Sequence, residues 1–409
     1  MEWTATREAG LQRLTAFLPR AGRDYARMRN EDLGPGRHEH VSGLSPWLRH
    51  RLIREDEVMA AAVDRHGAAA ADKFLQEVFW RTYWKGWLEL RPHVWQAYRR
   101  EVAYRLALVD DDPALARRFQ TASAGRTGIA CFDTWADELA RTGYLHNHAR
   151  MWFASIWIFT LELPWALGAD HFQRYLLDGD PASNTLSWRW VAGLHTRGKT
   201  YLARPDNIAR FTRGRFRPGP EALAGEAPAP AEANVNGEPR ELPAADGPAP
   251  GLRTGVLFTE DELSAERWLR VGGVSAVASI DCSAGRSPRT VAPLVRDFTR
   301  TALADARCRA EAHWRAESVA IEAVSADPAT VEWAQSHRLE QVVIPWTPTG
   351  PGAEVITQLR QPLEAAGVRV AEPRTAWDES CWPHATRGYF PFRKQLPNVL
   401  ERLVREPSR

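Results

Sequence analysis

Apolar residues in the first half of the chain recur three and four positions apart. The pattern is clearest in four stretches: LQRLTAFLP (11–19), ADKFLQEVFWRTYWKGWLEL (71–90), FDTWADELARTG (132–143) and NHARMWFASIWIFTLEL (147–163). This spacing places the apolar side chains on one face of an α-helix, and Gly or Pro marks the ends of the stretches. We find no convincing alternation of apolar and polar residues in this half. Residues 1–216 are therefore predicted to form an all-α domain.

The second half alternates between two patterns, with β-branched runs separated by segments of helical spacing. The predicted strands are TGVLF (254–258), VSAVASID (274–281), SVAIEAVS (318–325), QVVIPW (341–346) and VRVAE (368–372). The helical segments include RTVAPLVRDFTRTALADARCRA (289–310) and EVITQLRQPLEAAG (354–367). Residues 252–409 are therefore predicted to form a Rossmann-like α/β domain, a parallel sheet covered on both faces. No GxGxxG or GxxxxGK[ST] follows a strand, so no standard phosphate loop is expected, and a lid or docking role is the simplest reading.

Between the two halves lies a segment that cannot bury much apolar surface. Residues 217–251 are rich in Pro, Ala, Gly and Glu and hold almost no large apolar side chains. Such a composition is typical of a flexible linker. A chain of 409 residues is also long enough for two domains.

The overall composition indicates a soluble globular protein, with 44% hydrophobic and 25% charged residues. No apolar run reaches the roughly 18 residues needed to span a bilayer. The N-terminal stretch MEWTATREAG lacks the features of a signal peptide, so a cytoplasmic location is expected. The four cysteines lie far apart, which argues against an iron–sulfur cluster, a zinc site or a disulfide framework; they are Cys131, Cys282, Cys308 and Cys381.

Tryptophan and charge distinguish the chain further. Its 18 tryptophans are roughly three times ordinary usage, and indoles can fill a core, stack on bases or flavins, or carry electrons. Residues 1–216 carry 31 basic and 25 acidic side chains, whereas the remainder carries 22 and 26. A mildly basic first half is compatible with a polyanionic partner.

The stretch LLDGDPASNTLSWRW (176–190) concentrates candidate chemistry. Two carboxylates, Asp178 and Asp180, precede the amide of Asn184 and the indoles of Trp188 and Trp190. On local grounds this is a helix N-terminus, where Asp favours capping and the macrodipole, leading into a core filled by indoles.

Several separated motifs together resemble the FAD-binding helical domain of DNA photolyases and cryptochromes. They occur in the family's order over residues 1 to about 216: WTATREAGLQRLTAFL with YARMRN, VSGLSPWL, FLQEVFWRTYW, TGIACFDTWADELARTGYLHNHARM and LLDGDPASNTLSWRW. The resemblance implies that FAD is held folded between the helices.

The resemblance also implies which residues hold the cofactor. Asp178 would pair with Arg150 beside the isoalloxazine, Asp180 would lie near the ribityl chain or ring edge, and Asn184 would face flavin N5. Asn184 read alone is a helix-interior hydrogen bonder. The full implied set is Tyr25, Ser42, Gly43, Leu44, Ser45, Phe74, Arg150, Asp178, Gly179, Asp180 and Asn184.

The phosphate-binding turn departs from the family pattern. The family's TSRLSP reads VSGLSP here (41–46), so Val41 and Gly43 replace a threonine and an arginine. Ser42 and Ser45 keep their hydroxyls, and their backbone amides could still bind pyrophosphate. We expect weaker FAD binding from the lost guanidinium; the alternative is that SGLSP is only a helix cap.

The family's electron-transfer tryptophans are incomplete. The resemblance assigns Trp188 as the flavin-proximal member and Trp165 as the second, but the third position falls near Asp112. Trp152, Trp157 or Tyr144 could replace the missing member, or could simply pack in the core.

The lesion-binding residues are better preserved. Glu77 and Trp80 are i and i+3, hence on one helical face. The resemblance implies that this glutamate hydrogen-bonds the dimer bases and stabilises the dimer radical anion, while the tryptophan stacks on a pyrimidine. Trp190 would form the second stacking wall. The full implied set is Glu77, Trp80, Arg81, Asn147, His148, Met151 and Trp190.

Three of the remaining positions refine the substrate. Asn147 and Met151 would line the pocket floor, and methionine there favours cyclobutane dimers because the (6-4) branch carries histidine. His148 either contacts a phosphate or is a surface histidine. Positive charge for the DNA backbone would come from Arg81, Lys85 and the basic stretch 196–216, which on composition alone is a solvated face.

The resemblance implies light-driven, FAD-dependent repair of cyclobutane pyrimidine dimers by electron transfer from excited reduced flavin to a flipped-out lesion. Glu77, Asn184, Trp165 and Trp188 would be the catalytic residues. The expected partner is UV-damaged DNA, duplex or single-stranded, bound by a monomer away from any membrane. The alternatives are a cryptochrome-like blue-light photoreceptor without repair activity and a degenerate DNA-binding relative.

The α/β half carries a weaker likeness. GVLFTEDEL (255–263) and GYFPFRKQLP (388–397) resemble the start and end of the family's antenna domain, which normally precedes the flavin domain. A relocated, reduced antenna domain is therefore expected after the linker. No residue can be assigned to an antenna pigment.

Overall fold

The computed structural model describes residues 3–323 and 326–405. Within the described part of residues 1–216 every regular element is helical, which confirms the predicted all-α domain. The α-helices are α1 Arg7–Phe17, α2 Arg23–Met28, α3 Ser45–Arg49, α4 Glu55–His66, α5 Ala68–Glu89, α6 Pro92–Asp111, α7 Pro113–Ser123, α8 Ala130–Thr142, α9 Asn147–Ser155, α10 Trp165–Tyr175, α11 Pro181–Val191 and α12 Pro205–Phe211.

Local sequence explains where the helices around the centre of this domain begin and end. Asp180 caps α11, because its side chain accepts a hydrogen bond from the Ser183 amide at 2.7 Å, and Pro181 fills the first helical position. Gly143 ends α8 with a φ of 65°, and the Leu177 side chain leaves no room for a Cβ there. After Ser155, α9 continues as a π-helical turn through Thr160.

The described part of the second half contains five parallel strands in the order β3-β2-β1-β4-β5, which confirms the predicted Rossmann-like sheet. The elements are β1 Thr254–Thr259, β2 Val274–Asp281, α13 Pro293–Trp314, β3 Glu317–Glu322, α14 Ala326–Ser336, β4 Gln341–Val343, α15 Pro351–Ala365, β5 Arg369–Ala371, α16 Ala376–Cys381, α17 Tyr389–Arg393 and α18 Leu396–Arg405. Strand β4 ends before Pro345, which cannot donate to the ladder. Residues 324 and 325, the end of the predicted strand 318–325, lie outside the described residues.

Both faces of the central strand β1 are buried, but in different cores. Val256 and Phe258 of β1 join the large core shared with the helical domain, whereas Leu257 joins a smaller core with α14 and α15. Burial on both faces explains why β1 reads as a continuous apolar run, whereas the edge strand β3 is mostly exposed.

Residues 217–251, expected from composition to be a flexible linker, contain no helix or strand. The segment is hydrogen-bonded to the helical domain. Trp165 Nε1 donates to Glu232 Oε1 at 2.9 Å, and Asn236 Nδ2 donates to the carbonyls of Leu194 and His195. Arg240 Nε donates to the carbonyl of Glu89 at 2.9 Å. We call this segment the strap.

Buried arginines of the helical domain join the two halves of the chain. The Arg51 guanidinium contacts both oxygens of Asp378 at 2.6 and 2.7 Å and also contacts Glu262 at 3.2 Å. Arg49 contacts Asp261, directly after β1, at 2.5 Å. Burial by itself lowers the pKa of Arg51, but the surrounding carboxylates outweigh burial and raise it. These contacts fix the carboxyl end of β1 against α3 and α4.

Residues after the sheet return to the helical domain. Trp377 Nε1 of α16 donates to Thr82 Oγ1 at 3.1 Å, and Trp382 packs so closely on Gly86 that a Cβ there would lie 2.8 Å from its ring. Helix α5 is therefore covered by the last part of the described chain. No helix of the described residues is both long and apolar enough to cross a membrane.

Substituting Asp378 should destabilise the fold, because it leaves the buried Arg51 guanidinium partly uncompensated. We expect Asp378→Asn to lower the free energy of unfolding by about 3 kcal/mol. The control is Asp137→Asn, whose carboxylate forms a solvent-exposed pair with Arg141 and should cost less than about 0.5 kcal/mol. Urea denaturation followed by circular dichroism measures the free energy of unfolding of both variants. If Asp378→Asn loses no more stability than Asp137→Asn, the interdomain pair is dispensable.

Stability should also depend on pH through Asp170, which lies buried on α10 near Ser287. Burial raises its pKa from 3.8 to about 6, so the folded state disfavours the ionised form. This acid therefore favours folding less as pH rises from about 4 through 6. Between pH 4.5 and 7.5, wild type should lose about 2 kcal/mol of stability relative to Asp170→Asn, which stays uncharged. Denaturation curves at both pH values test this, and a pH-independent difference would refute it.

Candidate functional site

A cavity of about 420 Å³ lies within the helical domain, a size common for ligand sites. It is bounded by α2, the turn before α3, and helices α5, α9 and α11. Fifteen of the residues assigned from the sequence line it together: Tyr25, Ser42, Gly43, Leu44, Ser45, Glu77, Trp80, Arg81, Asn147, Arg150, Met151, Asp178, Asn184, Trp188 and Trp190.

An ion pair forms part of the cavity wall. Arg150 Nη2 of α9 lies 2.9 Å from Asp178 Oδ2, and Arg150 Nε donates to the Leu145 carbonyl. Burial alone would raise the pKa of Asp178, but Arg150 outweighs burial and lowers it. The wall therefore presents a fixed carboxylate and a guanidinium that is still partly exposed to the cavity.

A second charge cluster supports this wall from behind. Asp180 does not line the cavity; it caps α11 and lies 3.8 Å from Lys85 Nζ and 3.9 Å from Arg81 Nη1. Burial alone would raise the pKa of Asp180, but Lys85, Arg49 and Arg81 together lower it. Arg49 Nε also donates to the Gly179 carbonyl at 3.1 Å. The loop 178–180 is thus held by cations on α3 and α5.

Asn184 is buried on α11, one turn after the cap. Its Nδ2 donates to the Ala169 carbonyl of α10 at 2.8 Å. This bond fixes the orientation of the amide, whose residue lines the cavity. The side chain therefore offers an oriented neutral dipole rather than a charge.

The turn before α3 is shaped by Gly43, whose φ of 63° lies in the left-handed region that favours glycine. Arg13 Nε of α1 donates to the Ser42 carbonyl at 2.6 Å, and the Leu44 amide donates to Ser42 Oγ at 3.3 Å. Burial lowers the pKa of Arg13. A guanidinium from another helix therefore supports the turn that lacks its own arginine.

The mouth of the cavity is aromatic and partly exposed. Glu77 and Trp80 lie on one face of α5, and Trp190 lies on α11. Glu77 Oε1 is 3.5 Å from Arg29 Nε, and burial raises the pKa of this carboxyl. Trp190 stacks on Tyr201 with ring centroids 5.7 Å apart. Trp80 stacks on Tyr389 of the C-terminal segment at 3.5 Å and 11°.

Five assigned residues lie outside the cavity. Gly179 and Asp180 are in the supporting loop, and Phe74 packs behind Tyr25 with centroids 5.2 Å apart. His148 stacks on Trp152 at 4.2 Å, its Nδ1 lies 3.1 Å from the Asn30 carbonyl, and burial lowers its pKa. Trp165 is buried against Tyr98, 5.8 Å away, and against the strap.

The aromatic surroundings of the two assigned electron carriers differ. Trp188 lies 5.1 Å from Phe172 and 6.3 Å from Trp157. The family's third electron-transfer position falls near Asp112, which caps α7 through its side chain. Trp165 packs against Tyr98, and Tyr98 packs against Trp95, both on α6. Trp95 Nε1 donates to Glu354 Oε1 of α15 at 2.8 Å. Aromatic rings thus connect Trp165 to the interface with the α/β domain.

Sequence reasoning named Tyr144 only as a possible electron carrier, and it did not assign Arg13 or Tyr389 to the site. Tyr144 lines the cavity and lies 5.5 Å from the Arg150 guanidinium. Its place within TGYLHN was a usable signal, because the same motif supplied Asn147 and Arg150. Arg13 and Tyr389 carried no local signal, because their partners are distant in sequence.

The cavity walls suit a large polar cofactor such as FAD. Two buried wall atoms, Asp178 Oδ1 and Ser183 Oγ, have no hydrogen-bond partner among the described residues. Such atoms are costly to bury unless a ligand or water satisfies them. Apolar rings from Tyr25, Phe172 and Trp188 complete the lining. The unpaired polar atoms and the apolar rings therefore fit a cofactor with an aromatic ring and hydrogen-bonding groups, as FAD has.

Comparison with known proteins agrees with this reading. The family described as the FAD binding domain of DNA photolyase matches residues 74–213. A deoxyribodipyrimidine photo-lyase from Streptomyces griseus is 32% identical over 215 residues, covering 49% of this chain and 44% of that protein. One from Thermus thermophilus is 33% identical over 196 residues, covering 48% and 44%. The chain therefore spans less than half the length of these curated relatives.

Two solved structures also match. A Synechocystis cryptochrome is 24% identical with a TM-score of 0.42, covering 51% of this chain and 43% of that one. A class III photolyase from Agrobacterium tumefaciens is 25% identical with a TM-score of 0.39, covering 50% and 42%. Residues 74–213 are therefore similar to the FAD binding domain of DNA photolyase, and the chain as a whole matches photo-lyases over less than half of their length.

Proposed function

We propose that the protein binds FAD in this cavity and uses light to reopen cyclobutane pyrimidine dimers in DNA. The observation that carries the proposal is that one cavity holds two sets of residues. The Arg150–Asp178 pair forms an inner wall, and Glu77, Trp80 and Trp190 form a partly exposed mouth. When bound, FAD supplies light-driven electron transfer. The name of the relatives, deoxyribodipyrimidine photo-lyase, supports this reaction class.

The inner residues bind and orient the cofactor. Asp178 and Arg150 present opposite charges on one wall, and the low pKa of Asp178 keeps its carboxylate ionised. Asn184 offers a neutral dipole held by the Ala169 carbonyl. Backbone amides of the turn 42–45 are assigned to the phosphates, with Arg13 holding the turn. Trp188 and Trp165 are assigned as electron carriers.

The mouth residues bind the lesion. A flipped dinucleotide needs aromatic walls and a few polar partners, which Trp80, Trp190 and Glu77 supply. The Glu77 carboxyl, whose pKa burial raises, is assigned the hydrogen bond to the lesion bases. Asn147 and Met151 complete the floor.

Positive charge around the mouth suits a DNA backbone. Arg29 and Arg81 lie beside Glu77 and the cavity, and the stretch 196–216 adds further basic side chains. Phosphate contacts of this kind hold DNA without reading its sequence.

A second function, blue-light sensing without repair, is favoured by two departures from the family pattern. The family's third electron-transfer position falls near Asp112, a capping residue, and Gly43 replaces the arginine of the phosphate-binding turn. Both changes alter flavin reduction or binding rather than lesion contact.

Two measurements on the purified full chain separate these functions. Reconstitution with FAD should give bound flavin, seen by absorption and by co-elution in gel filtration. Blue light with a thiol reductant should then restore an oligonucleotide that contains a thymine dimer. Bound flavin without dimer repair would favour sensing, and failure to bind FAD would refute both functions.

Substituting Glu77 should separate lesion chemistry from cofactor binding. We expect Glu77→Ala to lower the repair yield about tenfold or more, because the dimer loses its carboxyl partner, while FAD content stays unchanged. The matched control is Glu101→Ala on α6, which removes a glutamate that pairs with Arg105 away from the cavity. Quantifying repaired oligonucleotide by chromatography checks the prediction. Loss of FAD from Glu77→Ala would place this residue on the cofactor side instead.

A further inference from the structure

The C-terminal segment runs along the side of α5 that bears the mouth of the cavity. Tyr389 Oη donates to the Gln76 carbonyl at 2.9 Å, and Arg393 pairs with Asp72 at 2.9 Å. Tyr83 Oη donates to the Arg387 carbonyl at 2.9 Å. These anchors span α5 from Asp72 to Tyr83, about one and a half turns on either side of Glu77. Residues 387–393 are therefore held next to the lesion-binding wall.

Phe390 stands out within this segment. Its side chain is 75% exposed, the largest value among the exposed large apolar side chains of the described residues. The preceding residue, Tyr389, is buried and stacks on Trp80 at 3.5 Å, and the Tyr389 and Phe390 rings lie 6.1 Å apart. An exposed ring is thus positioned one aromatic layer away from a wall of the cavity.

Basic residues flank this ring along the chain. Arg387 and Lys394 are exposed, and Arg393 is partly exposed beside its Asp72 partner. Aromatic rings interleaved with basic residues are the arrangement that proteins use to bind nucleic acid strands, because rings stack on bases while cations contact phosphates. Charge and ring chemistry therefore point to DNA as the occupant of this surface.

We propose that Phe390 stacks on a base of the DNA strand next to the nucleotides that enter the cavity. The inference rests on the proposed function, since it takes DNA as the substrate, and it adds a contact outside the matched family region. Moving two bases out of a duplex leaves a gap in the stack, and apolar side chains commonly occupy such gaps. Tyr389 is fixed against Trp80, whereas the Phe390 ring is free to enter DNA.

The test compares dark binding of two duplexes, one with a single thymine dimer and one undamaged, by fluorescence anisotropy at fixed salt. Phe390→Ala should raise the Kd for the dimer duplex about tenfold, since one base–aromatic stack is lost. Its Kd for undamaged duplex should change less than about twofold. Phe390→Trp should bind the dimer like wild type, because an indole also stacks.

The matched control is Tyr104→Ala, which removes the other strongly exposed aromatic ring of the described residues, 56% exposed on α6. It should bind both duplexes like wild type. The Phe390 contact is wrong if Phe390→Ala has the same Kd as wild type for the dimer duplex, or if its Kd rises equally for both duplexes. Repair by wild type would leave the proposed function intact in either case. If wild type binds the dimer duplex no more tightly than undamaged duplex and does not repair it, both the Phe390 contact and the proposed function are wrong.

Discussion

The buried guanidinium of Arg51 is the constraint on which the arrangement of the two halves depends. Its backbone lies in the left-handed region with a φ of 49°, a conformation that persists only where the surroundings impose it. Its guanidinium contacts three carboxylates, those of Asp378, Glu262 and Glu55. Two of them belong to the α/β half. The position of the turn between α3 and α4 is therefore tied to the packing of the sheet.

Arg49 extends the same arrangement to the candidate site. Its guanidinium contacts Asp261 at the end of β1 and the carbonyl of Gly179, the residue between Asp178 and Asp180. Buried ion pairs of this kind add little net stability because desolvation offsets attraction, and their contribution here is to position neighbours. The α/β half therefore supports the cofactor-side loop even though none of its described residues lines the cavity.

Much of the fold followed from local pattern, because periodicity reports which face of an element is buried. The helices around α5, α8 and α9 and all five strands were predictable in this way, with differences confined to their ends. Residues such as Arg150 and Asp178 were recognisable because each lies within a longer motif, and the structure brings them within hydrogen-bond distance.

The rest depends on contacts between distant residues, which no local pattern encodes. Arg49 and Asp261 are 212 positions apart, and each reads locally as an ordinary surface charge. The strap looked unstructured because composition reports only the apolar area a segment can bury, whereas its position is set by hydrogen bonds from Trp165 and Asn236. His148 read as a possible phosphate ligand, and the stacking on Trp152 that partly buries it was not visible in sequence.

The stacking of Tyr389 on Trp80 has a consequence for biosynthesis. The two rings are far apart in the order of translation, and at about 5–20 residues per second a ribosome needs roughly 15–60 s to travel from one to the other. During that interval the helical domain has emerged while one side of α5, with its indoles, still lacks its cover. The nascent chain therefore passes through a stage with an exposed aromatic surface, which is covered only after residues 387–393 have been made.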